Sequence, residues 1–328
     1  MRKIEAVKEI QLQIKKAIET CSSERKLSFL LAVSGGRDSS VLLDAFSSLI
    51  PKTSFFVAHF NHGLRPEADK EQSFVESLCK SISVEYLVKK AEPYNQKENL
   101  ESWARTCRYQ FLEDARAQSG ADLIVTAHHK TDLAETVLMR VISGRGAISL
   151  GGIIGLDFDR KLFRPMLDIP RELINCYVAE KSLQFVEDSS NTNLDRTRNR
   201  LRLELIPQVE KDFNPGFIDS LCSFAQRINQ DEKSIWLTAK RLYHESEDSS
   251  RADFYAAYPH YLRWRLLKLE LDSKVGENKV GYNSLCRLSE ALDSKEGSPK
   301  LVELGWGVSC EFSRKGLLKF QFIANNQP

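Results

Sequence analysis

The feature that most restricts this chain is an apolar run of strand length, residues 27–33 (LSFLLAV), followed by Ser34-Gly35-Gly36-Arg37-Asp38-Ser39-Ser40. That loop passes directly into a stretch, residues 39–49, with apolar side chains at helical spacing. A second strand-like run follows at 54–58, and the order repeats: helix at 67–81, strand at 84–88, long helix at 98–118, strand at 123–127. Strands alternating with helices predict an α/β fold, a doubly wound parallel sheet covered on both faces, with ligands at the carboxyl ends of the strands. Each strand-to-helix junction is therefore a candidate site.

Beyond residue 153 a short strand-like piece ends in Phe163-Arg164-Pro165-Met166, a helix begins after Pro170, and arginines crowd residues 196–202. Pro207 and the Asn214-Pro215-Gly216 cluster punctuate the chain there. They predict a first domain at 1–217 and a second, smaller one at 218–328, mainly helical through Leu271 and ending in short strands. The 328-residue length suits two domains. With 42% hydrophobic and 28% charged residues, a disordered chain is excluded. No apolar run approaches the ~20 residues of a membrane helix, and the N-terminal stretch lacks the apolar centre of a secretory signal, so the cytoplasm is expected. Seven cysteines without a CxxC pair are expected as reduced thiols, mostly small core residues, and not as a disulfide framework or zinc ribbon. Lysines and arginines number 47 against 45 acids, a net charge of +2, so any nucleic-acid surface must be local.

In the first junction two glycines allow close backbone approach, and the free amides and positive end of the helix favour an anion, phosphate first. The loop is neither the GxxxxGKS/T of a P-loop NTPase nor the GxGxxG of a dinucleotide site. Asp38 would repel polyphosphate unless Mg²⁺ lay between them. For this heptad alone, a Gly-Gly turn with Asp38 or Ser39 capping the helix is the plain alternative.

The next junction reads Ala58-His59-Phe60-Asn61-His62-Gly63-Leu64-Arg65, and the strand near 123–127 leads into His128-His129 and a helix bearing Asp132 and Glu135. Those two acids, three apart, project from one helical face and could share a metal or a proton, although such pairs are often only a solvated face. His59, His62, His128 and His129 lack zinc spacing and read as nucleotide or loop contacts, with core packing for at least two the ordinary alternative. Arg105 and Arg108 lie on one helical face as a guanidinium fork for phosphate, or as partners for Glu101 or Asp114. Arg196, Arg198, Arg200 and Arg202 are dense enough to suit a polyanion, with 198 and 202 on one face. In the second domain, residues 260–268 (HYLRWRLLK) mix basic and aromatic groups as RNA-contacting surfaces do, but favour an amphipathic helix burying Leu262, Trp264 and Leu266.

SGGRDS after a buried strand resembles the SGGxDS loop of the N-type ATP pyrophosphatases, the PP-loop superfamily with its adenine nucleotide α-hydrolase-like fold. The wider set is similar to the tRNA(Ile)-lysidine synthases over about residues 27–215: SGGxDS, HxNHGLR, ARxxRY, AHH leading to DxxE, Arg145-Gly146, Arg164-Pro165, Glu187-Asp188-Ser189-Ser190-Asn191, and Arg198-Asn199-Arg200-Leu201-Arg202. Many relatives carry two acids after HH; here Thr131 stands for the first and Asp132 remains.

The resemblance implies ATP contacts at Ser34, Gly35, Gly36, Arg37, Asp38, Ser39, Ala58, Asn61, His62 and His128. It implies Mg²⁺ at Asp38 and Asp132, and catalytic roles for Asp38, Arg108, Asp132, Glu135, Arg198 and Arg202. The implied reaction joins free L-lysine to C2 of the wobble cytidine of a CAU-anticodon isoleucine tRNA through an O2-adenylated base, releasing pyrophosphate and then AMP. Lysine's amine, with a pKa of about 10.4, must lose a proton before attack, and Glu135 is the candidate base. The second domain is expected to grip the tRNA body, and a homodimer is left open. The rivals are a tRNA thiolase, which calls for reactive cysteines, and a non-catalytic nucleotide- or RNA-binding protein.

Overall fold

The computed structural model describes residues 5–22, 25–64, 67–92, 94, 99–144, 147–187, 197–246, 251–276, 280–292, 301–305, 308–312 and 318–322. In chain order the first elements are α1 (Ala6–Cys21), β1 (Phe29–Ala32), α2 (Arg37–Leu49), β2 (Phe55–Asn61), α3 (Ala68–Ile82), β3 (Tyr86–Lys90), α4 (Leu100–Ser119), β4 (Leu123–Val125) and α5 (Lys130–Ile142). They are followed by β5 (Leu156–Asp157), β6 (Leu162–Phe163) and α6 (Arg171–Lys181). The six strands form one sheet in the order β3-β2-β1-β4-β6-β5. Every pairing is parallel except the β5–β6 edge, which is antiparallel and closes a short hairpin. β2 and β3 lie on one side of β1 and β4 on the other, so the carboxyl ends of β1 and β4 flank the point where the winding reverses.

β1 is apolar throughout because both of its faces are covered. Phe29 and Leu31 join one core with Leu42 and Phe46 of α2, Ile174 and Tyr177 of α6, and Ile10 and Ile14 of α1. Leu30 joins the opposite core with Ile124 and, on α4, Phe111 and Leu112. The N-terminal stretch thus forms an amphipathic helix whose Ala6, Ile10 and Ile14 recur at fourfold spacing and are fully buried. β2 runs on to Asn61, beyond the expected 58, because it pairs with β3 as far as Asn61↔Lys90. β3 begins at Tyr86 and not at 84, since Val84 donates its N–H to Cys79 O while Ser83, at φ 55°, closes α3.

After residue 187 the described chain resumes at α7 (Thr197–Arg200), a π-helical turn (Leu201–Leu205), α8 (Ile206–Asp212) and the 29-residue α9 (Phe217–Glu245). Ile206 N–H donates to Leu201 O, five residues back. Pro207 has no N–H to offer Leu203 O and its ring crowds that carbonyl, so the turn widens. Asn214-Pro215-Gly216 marks the start of α9. The two compact units, 1–228 and 229–328, divide inside that helix and not at the expected 217/218. The reason is that its first turns carry Cys222 and Ala225, buried with Leu133, Val137 and Leu167.

The second unit contains α10 (Ala252–Ala256), α11 (His260–Val275), α12 (Tyr282–Ala291) and an antiparallel sheet of β7 (Leu301–Gly305), β8 (Val308–Phe312) and β9 (Leu318–Phe322). The basic-aromatic run is α11, and Leu262, Trp264, Leu266 and Leu267 enter the core together with the guanidinium groups of Arg263 and Arg265. Among the described residues no helix is long and apolar enough to cross a membrane.

Candidate active site

The loop after β1 is shaped by its own backbone. Gly35 sits at φ 86°, and a Cβ there would lie 3.3 Å from Val75 Cγ2, so both conformation and space select glycine. Gly35 O accepts the Val186 N–H at 2.9 Å, which ties the loop to the chain after α6. Ser34 and Ser39 hydroxyls lie 3.1 Å apart, Ser39 Oγ donates to Gly36 O at 2.9 Å, and Gly36 begins α2. Asp38, in the first turn of α2, keeps its side chain 37% exposed. Arg37 reaches away from the loop: it donates to Asn175 Oδ1 at 2.8 Å and stacks over Phe185.

Across the winding reversal, α5 opens with a reciprocal cap. Thr131 N–H donates to His129 Nδ1 at 3.3 Å, and His129 N–H donates to Asp132 Oδ2 at 3.0 Å. His129 Nε2 lies 3.5 Å from Asp132 Oδ2 and 3.7 Å from Asp38 Oδ2, so the two junctions meet at this ring. Burial pushes the Asp132 carboxyl up, but His129, with its backbone N–H, and the more distant His128 and Arg198 outweigh it and hold the group below the usual carboxylate range. His128 Nδ1 is 2.7 Å from Thr126 Oγ1. Burial pushes its imidazole down to about 4; Asp132 opposes this, and Arg164, Arg108 and Arg198 add to it.

Glu135 is fully buried. Arg202 Nε donates to its Oε1 at 2.5 Å and Arg202 Nη2 to its Oε2 at 3.0 Å, a bidentate fork, while Arg198 Nε meets Oε2 at 3.0 Å. Arg202 Nη2 also reaches Asp132 Oδ1 at 3.3 Å. Arg198 comes from α7 and Arg202 from the π turn, so the expected pair does converge, on one carboxylate. Arg105 and Arg108 stack over Tyr109 at 4.7 and 5.5 Å. Burial pushes the Arg108 guanidinium down, Tyr109 opposes this, and Arg105 and Arg198 reinforce it.

Other residues expected at the nucleotide have these protein partners. Asn61 is buried, its amide donating to Asp69 Oδ1 and Gln72 Oε1 and its oxygen accepting the Gly63 N–H. Ala58 offers only backbone, and its O accepts Val33 N–H. His62 packs edge-on against Phe60 at 4.8 Å, and His59 is buried with Nδ1 on Val33 O. Arg65, Arg145, Gly146, Asp188, Ser189, Ser190, Asn191 and Arg196 lie outside the described residues.

Two residues outside the expected catalytic, metal and ATP-contacting set join the site. His129 is one. Arg164 is the other, 9% exposed, its Nη1 on Ile154 O at 2.6 Å and its Nε buried with no hydrogen-bond partner. The available signals were the cap position before a helix for His129 and a cation at a strand end for Arg164. Asp38 and Asp132 supply two hard oxygen donors, and among the described residues no cluster of three or more His, Cys, Asp or Glu could hold a metal alone. That set fits Mg²⁺, which takes one or two carboxylates and fills its remaining positions with phosphate and water.

This sheet and loop define a PP-loop protein that uses ATP: residues 6–209 match the family model described as the PP-loop domain. The chain is 34% identical over 284 residues to the tRNA(Ile)-lysidine synthase of Petrotoga mobilis, covering 85% of each. It is 34% identical over 221 residues to that of Clostridium acetobutylicum, covering 65% of this chain and 48% of that one. The chain belongs to the tRNA(Ile)-lysidine synthase family. It thus spans most of one curated relative and about half of the other. Among solved structures, the U34-tRNA thiolase of Methanococcus maripaludis shares the fold, with a TM-score of 0.57 at 17% identity over 68% of this chain and 78% of that one.

Proposed function

We propose that this chain ligates free L-lysine to C2 of the wobble cytidine, position 34, of CAU-anticodon isoleucine tRNA, consuming ATP and converting codon reading from AUG to AUA. The observation that carries the reading is the meeting of the two junctions: the Ser34–Ser39 loop and Asp38 on one side, Asp132, Glu135, Arg198 and Arg202 on the other. In the first step cytosine O2 attacks the α-phosphorus of ATP and pyrophosphate leaves. In the second, the lysine ε-amine attacks C2 and AMP leaves.

The loop amides and the start of α2 bind the triphosphate. Asp38 and Asp132 would hold Mg²⁺, which would supply positive charge for the phosphates. Arg108, Arg198 and Arg202 present guanidinium groups to phosphate or to the adenylated base. Glu135, with both oxygens on guanidinium groups, positions Arg198 and Arg202 and is the candidate acceptor of the lysine proton. The second unit supplies the grip on the tRNA body, and the address is the cytoplasm, where tRNA and free lysine meet.

Thiolation is less well supported. Burial pushes the Cys79 and Cys310 thiols up to about 12 and Cys222 to about 11, so these are poor nucleophiles.

The purified protein is expected to convert ATP to AMP and pyrophosphate only with both lysine and this tRNA present, and to attach radiolabelled lysine to the tRNA. Absence of label with folded protein refutes the substrate assignment. Asp38→Asn is expected to lower adenylation by at least about 10³-fold without unfolding; turnover at the parent rate would refute the Mg²⁺ role.

A further inference from the structure

His129 has no place in the reaction as described, yet it is 1% exposed where the two junctions meet. Its Nδ1 accepts the Thr131 N–H, which leaves Nε2 as the ring's donor nitrogen. Nε2 lies 3.5 Å from Asp132 Oδ2 and 3.7 Å from Asp38 Oδ2. The two acids belong to different helices, α5 and α2, each in a first turn. Facing like charges with nothing between them would turn apart. Here a single donor, fixed in direction by a backbone bond on the far side of its ring, spans the gap. Asp132 is held a second time, by His129's own N–H on the same Oδ2.

We infer that His129 is a positioning residue: its imidazole, set between them, keeps the Asp38 and Asp132 carboxylates together as a pair of oxygen donors for one divalent cation. This rests on the reading of those two acids as the cation's ligands. A group that orients a ligand in this way is worth about 10- to 100-fold in metal affinity.

The ring's two nitrogens can be tested separately. Asparagine retains an acceptor near Nδ1 and so the cap; glutamine places an amide near Nε2 but forfeits the cap. Mn²⁺ binding to the full chain with α,β-methylene ATP, followed by electron paramagnetic resonance, reads the site without turnover. His129→Asn is expected to bind Mn²⁺ about 10- to 100-fold more weakly, with Tm within about 2 °C of the parent. His129→Gln is expected to lose about 2–4 °C in Tm yet bind Mn²⁺ more tightly than His129→Asn. Parent-like Mn²⁺ affinity in His129→Asn overturns the positioning role, provided Asp38→Asn is weakened in the same assay. Equal losses of affinity and Tm in both His129 variants also overturn it, as those of a purely structural residue. If Asp38→Asn binds Mn²⁺ like the parent, the cation site itself falls and this inference with it.

Discussion

Each unit buries an arginine–glutamate pair, and the two are built inside out relative to one another. In the first unit the glutamate lies at the bottom: Glu135 is fully buried, while the side chains of Arg202 and Arg198 are 19% and 43% exposed. In the second unit the arginine lies at the bottom: Arg265 is 1% exposed, stacked 4.1 Å from the Trp264 ring and 5.8 Å from Trp236, and Glu232 is 20% exposed. Arg265 Nη2 lies 2.6 Å from Glu232 Oε1, and Nη1 donates to Tyr261 O. The first pair turns cations outward beside Asp38 and Asp132, as a site for polyanions needs. The second hides its cation between indoles and ties helices together. Arginine density in a sequence therefore says little about RNA until the packing shows which end of the pair meets solvent.

The comparison breaks most sharply at Glu135. Glu135→Gln is expected to reduce lysine ligation about 10³-fold in the labelled-lysine assay, because both arginines lose their anchor. A loss confined to stability would make this pair structural like the other. Arg265→Met is expected to destabilise the second unit by about 3 kcal/mol in urea unfolding, since Glu232 is left unpaired, and adding Glu232→Leu should restore most of it. The corresponding double change of Arg202 and Glu135 should abolish ligation whatever its stability. Arg202→Ala is expected to cost about 10²-fold in ligation and Arg198→Ala about tenfold, as Arg202 alone also holds Asp132. Equal effects would remove that distinction.

The smallest expected effect is on pH. His128 stays neutral in the folded chain down to about 4, against 6.5 for the free ring. Between those values the unfolded chain takes up a proton that the folded one refuses. The stability associated with this ring is complete above pH 6.5 and is lost as pH falls toward 4, by about 3 kcal/mol. Urea midpoints stepped from pH 7.5 to 4.5 should decline less steeply in His128→Asn. Burial also pushes His59 down, so some slope remains.

Much of the first unit was legible because its signals are local. An apolar strand, a glycine pair and a helical period lie in one short stretch of chain, and the same alternation recurs down to β4. The use of Val84 to close α3 was not legible, nor the extension of β2, since both depend on which partner a strand finds. At the site, Asp38, Asp132 and Glu135 could be raised as candidates by their places after strand ends, and the resemblance gave them their expected roles. Their engagement could not: Glu135 meets Arg202 across 67 residues and Asp38 meets His129 from another helix. Arg37 and Asn61 show the converse, residues well placed in a motif whose side chains the fold turns to Asn175 and Asp69.

By itself the sequence determined the alternating architecture, the glycine loop after the first strand and the inventory of acids and arginines, because helical and strand periods and turn chemistry act over a few neighbouring residues. Only the tertiary structure decided which carboxylates face one another, which arginines are exposed and which are sealed, and that His129 stands between Asp38 and Asp132. Those outcomes depend on burial and on distances between segments far apart in the chain, which no local pattern encodes.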